Sequence, residues 1–475
     1  MNQFRRFLFQ ISLLVGLLAA SNSSWGQIKL PAVIGSNMVL QQQSNAPIWG
    51  WANKNQKIQL SASWTNESFE VKANKFGKWM ITIPTPEAGG PYSLTISADK
   101  KIVLSNVMIG EVWLCSGQSN MEMPFKGFNN QPVYGSNDYI AAGNNSSIRL
   151  FNMKNAFAES PQEDCKGAWA VSSPEDVANF SAVAYSFAKY LQDKLGVPIG
   201  VINSTWGGTR VEAWMNKETL SEFGADMTVL GTDKMKFQSP TVLYNAMINP
   251  IIPYGIKGAI WYQGESNSNQ PKEYTDLFAA MIKSWRGLWN QGDFPFYYVQ
   301  ICPMQNYDKT EGKNTAEIRE AQLQTMKYVP NTGMVSTLDI GHQWMIHPPE
   351  KITIGKRLAY WALAKDYGFK GIQYGGPVYK SIKIEENKAY LKFDNAPLGL
   401  SNMGKELNDF LIAGEDKVFY PAKALIVLRK GLVVWSDEVK NPIAVRYGWS
   451  NWVVGSLFDT AGNPASSFKT DDWEK

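Results

Sequence analysis

The order of apolar and polar residues changes twice along this chain of 475 residues. Between residues 28 and 105 the two kinds alternate in short runs, for example at 57–63 and 92–97, separated by turn clusters such as Ala-Gly-Gly-Pro at 88–91. Alternation with a period of two places every second side chain on one face of a strand. The pattern predicts a small antiparallel β-sandwich over residues 28–105.

Residues 106–370 alternate between apolar runs typical of buried strands and segments with helical periodicity. Val183, Phe187, Tyr190 and Leu191 recur at helical spacing, and Gly196 ends that pattern. Strands are predicted at 107–114, 197–203, 257–262, 296–301 and 333–338, and helices at 182–195, 273–289, 317–327 and 348–367. Strands that alternate with helices predict an α/β domain with a parallel sheet flanked by helices.

Residues 371–475 return to strand-like runs, for example at 388–393 and 431–435, which predict a second, β-rich module. The composition is typical of folded globular domains, since 44% of the residues are hydrophobic and 19% are charged. The formal net charge is only +4 and no basic stripe is visible, so nucleic acid is not expected as a partner.

The first 26 residues have the three parts of a secretory signal peptide. Arg5 and Arg6 precede an apolar stretch at 7–20, and small residues lead up to Gly26. The apolar stretch is short for a membrane span, and polar residues interrupt it. We therefore expect cleavage after Gly26, a periplasmic or secreted mature protein, and no membrane attachment after signal removal.

Three cysteines, Cys115, Cys165 and Cys302, are too few for a disulfide framework, and their spacing does not suggest a zinc site. Cys115 lies in an apolar run and is expected to be a small buried hydrophobic residue. Pairing of Cys165 with Cys302 in an oxidising compartment is left open by the sequence. Neither a cofactor nor a metal is expected.

Chemically suggestive residues follow the predicted strands of the central domain, where open α/β sheets bind ligands. Ser119 follows the first strand in the sequence Ser-Gly-Gln-Ser-Asn, a turn that exposes a hydroxyl nucleophile beside backbone N–H groups. Gly207 and Gly208 follow the next strand, and adjacent glycines let the backbone approach a substrate carbonyl closely. A third strand is followed by Gln263 and Asn267, whose amides can donate to a developing oxyanion.

The chain has only two histidines, His342 and His347, and both lie in the loop after the predicted strand 333–338. Hydrolysis by a serine needs a base with a pKa near neutrality, which histidine supplies. Such a base must therefore be one of these two residues. Each motif alone also has a structural interpretation, because a glycine pair usually makes a turn and a histidine after a strand usually packs or lies at the surface.

Together the four segments resemble the sialate O-acetylesterase family of the SGNH-hydrolase superfamily. In the family's order, the chain contains Gly-Gln-Ser-Asn-Met at 117–121, Trp-Gly-Gly-Thr at 206–209, Trp-Tyr-Gln-Gly-Glu-Ser-Asn at 261–267 and Ile-His-Pro at 346–348. Matches on either side extend the resemblance over nearly all of the mature chain. The resemblance implies an SGNH, flavodoxin-like fold for residues 106–370 and hydrolysis of carbohydrate acetyl esters.

The same resemblance implies roles for single residues. Ser119 would be the nucleophile and His347 the base, and an acetyl-enzyme would form and then react with water. The oxyanion donors would be the N–H groups of Ser119 and of Gly207 or Gly208, together with the Gln263 side chain. Removing one such donor typically slows catalysis about a hundred- to a thousandfold.

One departure from the family concerns the acid that orients the base. Many members have an aspartate two or three residues before the histidine, where this chain has Met345 and Trp344. Three alternatives follow: a Ser–His pair supported by a backbone carbonyl, a carboxylate supplied from elsewhere by Asp339 or Glu265, or a relative without catalysis. A neutral acceptor can fix the imidazole tautomer without a charge.

The expected substrate is an acetylated carbohydrate, and three hypotheses about the function remain distinct. A sialate esterase needs a cation near Ser119, for which Arg210 is the candidate because guanidinium pairs with carboxylates. An esterase of acetylated plant hemicellulose needs an open aromatic groove, and a binding module needs no nucleophile. Most of the 18 tryptophans are expected in the core, with Trp344 in the most accessible position. Further candidate substrate-binding residues are Gln118, Glu265 and His342.

Overall fold

The computed structural model describes residues 28–224, 236–305 and 314–473. The predicted signal peptide, residues 1–26, lies outside the described residues. Within those ranges, no helix combines the length and the apolar character needed to cross a membrane. The predicted architecture, an α/β sheet flanked by helices with β-rich parts before and after it, is confirmed.

The alternating pattern of the N-terminal region corresponds to real strands. These are β1 (Val39–Gln41), β2 (Asn45–Trp51), β3 (Lys57–Ala62), β4 (Ser68–Lys72), β5 (Lys78–Pro84), β6 (Gly89–Ser97) and β7 (Lys101–Gly117). Every second side chain of β3 and β5 is buried. β2 pairs with β5, and β6 pairs with the beginning of β7. Since β7 runs without interruption across the predicted boundary at residue 105, one strand joins the N-terminal and central sheets.

The rest of β7 is the middle strand of the α/β sheet. The other strands are β8 (Asn145–Asn152), β9 (Trp169–Ser172), β10 (Ile199–Thr205), β11 (Gly258–Tyr262), β12 (Phe296–Val299) and β13 (Thr332–Val335). Their order is β13-β12-β11-β7-β10-β8-β9, and these neighbours pair parallel except for β8 with β9. β10 and β11 are buried along their whole length, as parallel strands covered on both faces should be. The pair β8 and β9 was not predicted from the sequence.

Helices cover both faces of this sheet. They are α1 (Ser119–Glu122), α2 (Ser136–Ala141), α3 (Pro174–Asn179), α4 (Ala182–Leu195), α5 (Lys217–Ser221), α6 (Pro271–Trp289), α7 (Asn314–Tyr328) and α8 (Lys351–Lys365). Short 3₁₀ or π turns lie at Val211–Trp214, Lys236–Gln238, Tyr244–Ile248, Asn249–Ile251 and Glu265–Asn267. Val112 and Leu114 of β7 face the layer of α6 and α7, whereas Trp113 and Cys115 face the layer of α4 and α8. Cys115 is fully buried, as predicted.

The three cysteines do not form a disulfide. Cys302 is buried with its Sγ 3.3 Å from the Tyr262 hydroxyl oxygen, and Cys165 is half-buried. The pairing of Cys165 with Cys302 that the sequence left open is therefore absent from this structure.

The C-terminal module is β-rich, as predicted, and has a core of its own. Its strands are β14 (Val378–Glu385), β15 (Lys388–Asp394), β16 (Leu400–Ser401), β17 (Phe410–Ala413), β18 (Phe419–Pro421), β19 (Lys423–Val427), β20 (Gly431–Trp435), β21 (Ala444–Tyr447), β22 (Phe458–Asp459) and β23 (Phe468–Lys469). Buried Arg319 of α7 donates to the carbonyls of Gly448 and Ser450 over 2.9 and 2.7 Å. The Gly455 N–H donates to the Leu338 carbonyl over 2.9 Å. The module is thus hydrogen-bonded to α7 and to the segment that leads into the histidine loop.

Candidate active site

The serine, glycine and amide segments leave the carboxyl ends of three neighbouring strands. β7 lies between β10 and β11, and Gly117 is in register with both Thr205 and Tyr262. The Gln118 N–H donates to the Tyr262 carbonyl, and the Trp206 N–H donates to the Gly117 carbonyl, each over 3.0 Å. Gly117 has a φ of +134°, and an added Cβ would stand 2.2 Å from the Tyr262 carbonyl oxygen, so glycine is required there. The topology brings the three segments together.

Ser119 begins the short helical turn α1 directly after β7. It is half-buried, and within the described part of the chain neither its hydroxyl nor its N–H has a hydrogen-bond partner. An added Cβ on Gly207 would stand 3.1 Å from the Cβ of Ser119, so the glycine segment lies directly against the serine. A free hydroxyl beside a free backbone N–H is the arrangement that a serine nucleophile needs.

Asn120, the next residue, connects the serine, amide and histidine segments. Its Nδ2 donates to Oε1 of Glu265 over 2.5 Å and to the carbonyl of Ile346 over 3.0 Å. Its Oδ1 accepts a hydrogen bond from Nζ of Lys351. Asn120 and Lys351 are both buried. These bonds hold the histidine loop against the serine turn, although β13 is three strands away from β7 in the sheet.

His347 has one engaged and one free ring nitrogen. Its Nδ1 makes a hydrogen bond with Oε1 of Gln131, and because an amide oxygen only accepts, Nδ1 carries the proton. Its Nε2 is buried and has no partner among the described residues. Burial, with the nearby Lys351 ammonium as a second cause, lowers the pKa of His347 to about 4. The imidazole is therefore neutral at pH 7, with its lone pair on Nε2.

Lys351 supplies a positive charge inside this site. Burial lowers its pKa to about 8, although Glu265 and Glu350 oppose the shift. Burial also raises the pKa of Glu265, whose Oε2 is buried without a partner among the described residues. Across residues 28–224, 236–305 and 314–473, no three His, Cys, Asp or Glu side chains are grouped as a metal site would require.

Asp339 does not orient the imidazole in this structure. Its two carboxylate oxygens accept hydrogen bonds from Nη1 and Nη2 of Arg357 over 2.9 and 2.7 Å, and both side chains are nearly buried. A bidentate pair of this kind uses both oxygens of the carboxylate. The alternative in which Asp339 supplies the orienting carboxylate is therefore not the arrangement found in this structure. Gln131 is the partner of Nδ1, and Asp339 anchors α8 to the segment after β13.

The predicted amide donors Gln263 and Asn267 are engaged with the protein itself. Nε2 of Gln263 donates to the Thr209 carbonyl over 3.1 Å and to Oδ1 of Asn267 over 2.8 Å. Nδ2 of Asn267 donates to Oε2 of Glu212 over 2.9 Å, and both amide side chains are buried. In this structure they hold the glycine and amide segments together and do not present N–H groups to a ligand.

Of the two predicted glycine donors, one N–H is engaged with the protein and the other is free in the described residues. The Gly207 N–H donates to Oε2 of Glu122 over 2.6 Å. Gly208 is exposed, has a φ of +71°, and its N–H has no partner within the described ranges. Of the pair, Gly208 is the one with an N–H available to a substrate oxygen.

The predicted substrate-binding residues fall into two groups. Gln118 is buried, and its Oε1 accepts two backbone N–H groups of the amide segment over 3.3 Å each, so it is structural. Trp344 is 57% exposed, and His342 is also exposed in the same loop. Arg210 is half-buried and donates to Oε1 of Gln270 over 3.3 Å. Arg210, His342 and Trp344 thus remain open to a ligand.

An aromatic cluster lies next to the glycine segment. The rings of Trp206 and Phe237 stack with centroids 4.7 Å apart and an angle of 4° between their planes. The Phe157 ring lies 6.4 Å from Trp206 and is 41% exposed. Flat apolar surfaces of this kind suit the apolar faces of sugars.

Sequence reasoning missed Asn120, Glu122, Gln131 and Lys351. Three of these had a visible signal. Asn120 lies inside the serine motif, Glu122 directly follows that motif, three residues after Ser119, and Lys351 is the basic residue that follows Ile-His-Pro. Gln131 lies in a loop without any pattern, so only the folded chain identifies it as the partner of the histidine.

Comparisons with known proteins identify a family whose range spans the four segments. Residues 109–364, which include all four segments, match the family described as carbohydrate esterase, sialic acid-specific acetylesterase. Sialate O-acetylesterase of Homo sapiens is 28% identical over 482 residues, covering 92% of this chain and 90% of that protein. The Mus musculus protein of the same name is 27% identical over 511 residues, covering 94% and 93%.

A solved structure is similar over almost the whole chain. It is a carbohydrate acetylesterase from Xanthomonas citri with 37% sequence identity and a TM-score of 0.86. The match covers 94% of this chain and 100% of that chain, so it includes the N-terminal strands, the α/β sheet and the C-terminal module.

Proposed function

This chain belongs to the sialic acid-specific acetylesterase family of carbohydrate esterases, and we propose that it removes O-acetyl groups from a carbohydrate through an acetyl-enzyme on Ser119. As a member of this family, the chain is a carboxylic ester hydrolase.

The observation that carries the proposal is the state of His347. Its Nδ1 proton is directed at Gln131, and its buried Nε2 is left with a lone pair and no protein partner in the described residues. A general base has this form before it accepts a proton. Asn120, which follows the nucleophile, bonds the carbonyl of the residue before this histidine.

In the proposed reaction, Oγ of Ser119 attacks the acetyl carbonyl carbon while its proton passes to Nε2 of His347. The N–H groups of Ser119 and Gly208 stabilise the oxyanion. The tetrahedral intermediate collapses as the bond to the sugar oxygen breaks, and that oxygen takes the proton from Nε2. Water then attacks the acetyl-enzyme, again losing a proton to Nε2, and the acetate leaves as Ser119 regains its proton.

For the substrate we propose a sialic acid with an O-acetyl group, or a related acetylated glycan. Arg210 supports this choice, because its half-buried guanidinium contacts a neutral amide and can pair with a sugar carboxylate. The exposed indole of Trp344 and the cluster around Trp206 support the second candidate, an acetylated plant hemicellulose, since a neutral polysaccharide needs aromatic contacts.

We also propose that the protein is exported after cleavage behind Gly26 and acts in the periplasm or outside the cell. Its three folded parts would be residues 28–105, 106–370 and 371–475, with the central part carrying the chemistry. The hydrogen bonds of Arg319 and Leu338 to the C-terminal part support a bracing role for that module.

Hydrolysis of a chromogenic acetate by wild type, Ser119→Ala and His347→Ala tests the mechanism. Both variants should lose activity by at least about a thousandfold, as triad deletions do. Full activity in Ser119→Ala would refute the mechanism, and an inactive wild type would favour a binding protein. A panel of acetylated sialosides, xylan and xyloglucan with wild type and Arg210→Met then separates the substrates. Loss of activity towards sialosides alone in Arg210→Met supports the sialate proposal.

A further inference from the structure

Glu122 lies on the same helical turn as the nucleophile, and its carboxylate is held at both oxygens. Oε2 accepts the Gly207 N–H over 2.6 Å, and Oε1 accepts Nδ2 of Asn155 over 3.0 Å. Burial raises the pKa of Glu122, and the two donors oppose that rise. A negative charge on the nucleophile's helical turn would disfavour a developing oxyanion, so the charge itself does not explain why a carboxylate lies here.

Gly207 is enclosed between the nucleophile and this carboxylate. An added Cβ on Gly207 would stand 3.1 Å from both Oε2 of Glu122 and Cβ of Ser119. The loop 206–208 is thus in contact with Ser119 on one side and is hydrogen-bonded to Glu122 on the other. The bond also uses the Gly207 N–H and leaves that of Gly208 without a partner in the described residues.

We propose that Glu122 is a positioning residue of this esterase, which holds the loop 206–208 against Ser119 and thereby selects the Gly208 N–H as the second oxyanion donor. The inference rests on the proposed acyl transfer at Ser119. It assigns Glu122 the role of a hydrogen-bond acceptor of fixed length and gives its negative charge no part in catalysis.

This role predicts different values of kcat for three substitutions. Glu122→Gln keeps an acceptor oxygen at the same distance and removes the charge, so its kcat should stay within about threefold of wild type or rise. Glu122→Asp keeps the charge but is shorter by one methylene, and Glu122→Ala has no acceptor. Since a misplacement of about 1 Å can cost about a hundredfold, both should lose ten- to a hundredfold in kcat with little change in KM.

The test is steady-state hydrolysis of a chromogenic acetate by these three variants, with Glu159→Ala as the control because Glu159 is an exposed glutamate. Thermal unfolding is measured on every variant. If Glu122→Ala does not fold, Glu122→Asp replaces it in the comparison with Glu122→Gln. Restoration of kcat by Gln but not by Asp supports the proposal.

Other outcomes overturn it. If Gln is as slow as Ala, the charge itself is needed. If Ala matches or exceeds wild type, the carboxylate is dispensable or competes with the substrate for the Gly207 N–H. Ser119→Ala is assayed in parallel, and activity there would remove the proposed function independently of Glu122.

Discussion

Nδ1 of His347 is bonded to the side-chain amide oxygen of Gln131, 216 residues earlier in the chain. This contact occupies the position that an aspartate fills in a Ser-His-Asp triad. An amide oxygen fixes the tautomer as a carboxylate does, but it adds no negative charge to stabilise the imidazolium. The absence of that charge agrees with the low pKa of His347, which burial and Lys351 lower to about 4.

Substitution of Gln131 tests this contact. Gln131→Leu removes the acceptor and should lower kcat about ten- to a hundredfold, the usual effect of losing an orienting partner. Gln131→Glu restores a charged acceptor and should raise the pKa of His347, because an opposite charge favours the imidazolium. The measurement is the pH dependence of acetate hydrolysis, with exposed Asn129→Ala as the control. An unchanged kcat in Gln131→Leu would show that the tautomer is fixed in another way.

The activity should persist to acid pH. Because the imidazole of His347 stays neutral above about pH 4, kcat/KM should fall only below that value. Proton NMR can follow the same group, since His342→Asn leaves a single histidine in the chain. A titration near 6.5 would contradict the buried, neutral state.

The same shift affects stability with a definite sign. The unfolded chain protonates His347 near pH 6.5, whereas the folded protein does so near 4. Between these values the unfolded state binds more protons, so the free energy of unfolding should decrease as the pH falls from 6.5 to 4. His347→Gln should lose this part of the pH dependence, which denaturant titrations at several pH values can measure.

Lys351 should hold the histidine pKa down. Its ammonium disfavours a second positive charge nearby, so Lys351→Met should move the acid limb of kcat/KM upward from about 4. Burial is the larger cause of the shift, and the limb should therefore stay below 6.5. Lys356→Met on the same helix is the control. A limb that does not move would show that burial alone sets the pKa.

Asp339→Asn separates a structural from a catalytic carboxylate. Loss of its charge weakens the pair with buried Arg357 and should cost about 1–3 kcal/mol of stability. Activity below the melting transition should stay within a few-fold, since Asp339 does not contact the imidazole. A loss of a thousandfold in a folded Asp339→Asn protein would restore Asp339 as the catalytic acid.

Asn120→Ala should impair both folding and catalysis. It leaves the Lys351 ammonium and Oε1 of Glu265 without their shared partner in a buried site, at a cost of about 1–3 kcal/mol. It also frees the Ile346 carbonyl beside His347, so kcat should fall together with stability. Crystallography of the variant would reveal whether the histidine loop has moved, and an unmoved loop with normal kcat would argue against this role.

Much of the architecture follows from local sequence patterns. The spacing of Val183, Phe187 and Leu191 predicted α4 with the bounds that the structure shows, because one buried face of a helix requires that period. The apolar runs of β7, β10 and β13 and the motifs after them placed Ser119, the glycines and the histidine loop behind strand ends. These features depend on a few neighbouring residues, which the sequence displays directly.

The partners of the site residues were decided only by the tertiary structure. Whether Nδ1 of His347 bonds an aspartate or Gln131, and whether Asp339 serves the imidazole or Arg357, depends on which loops meet. The sequence therefore identified the proposed nucleophile and base, whose motifs are local. The folded chain chose the groups that orient them, because a hydrogen bond needs only a nearby atom of the right kind, wherever in the sequence it originates.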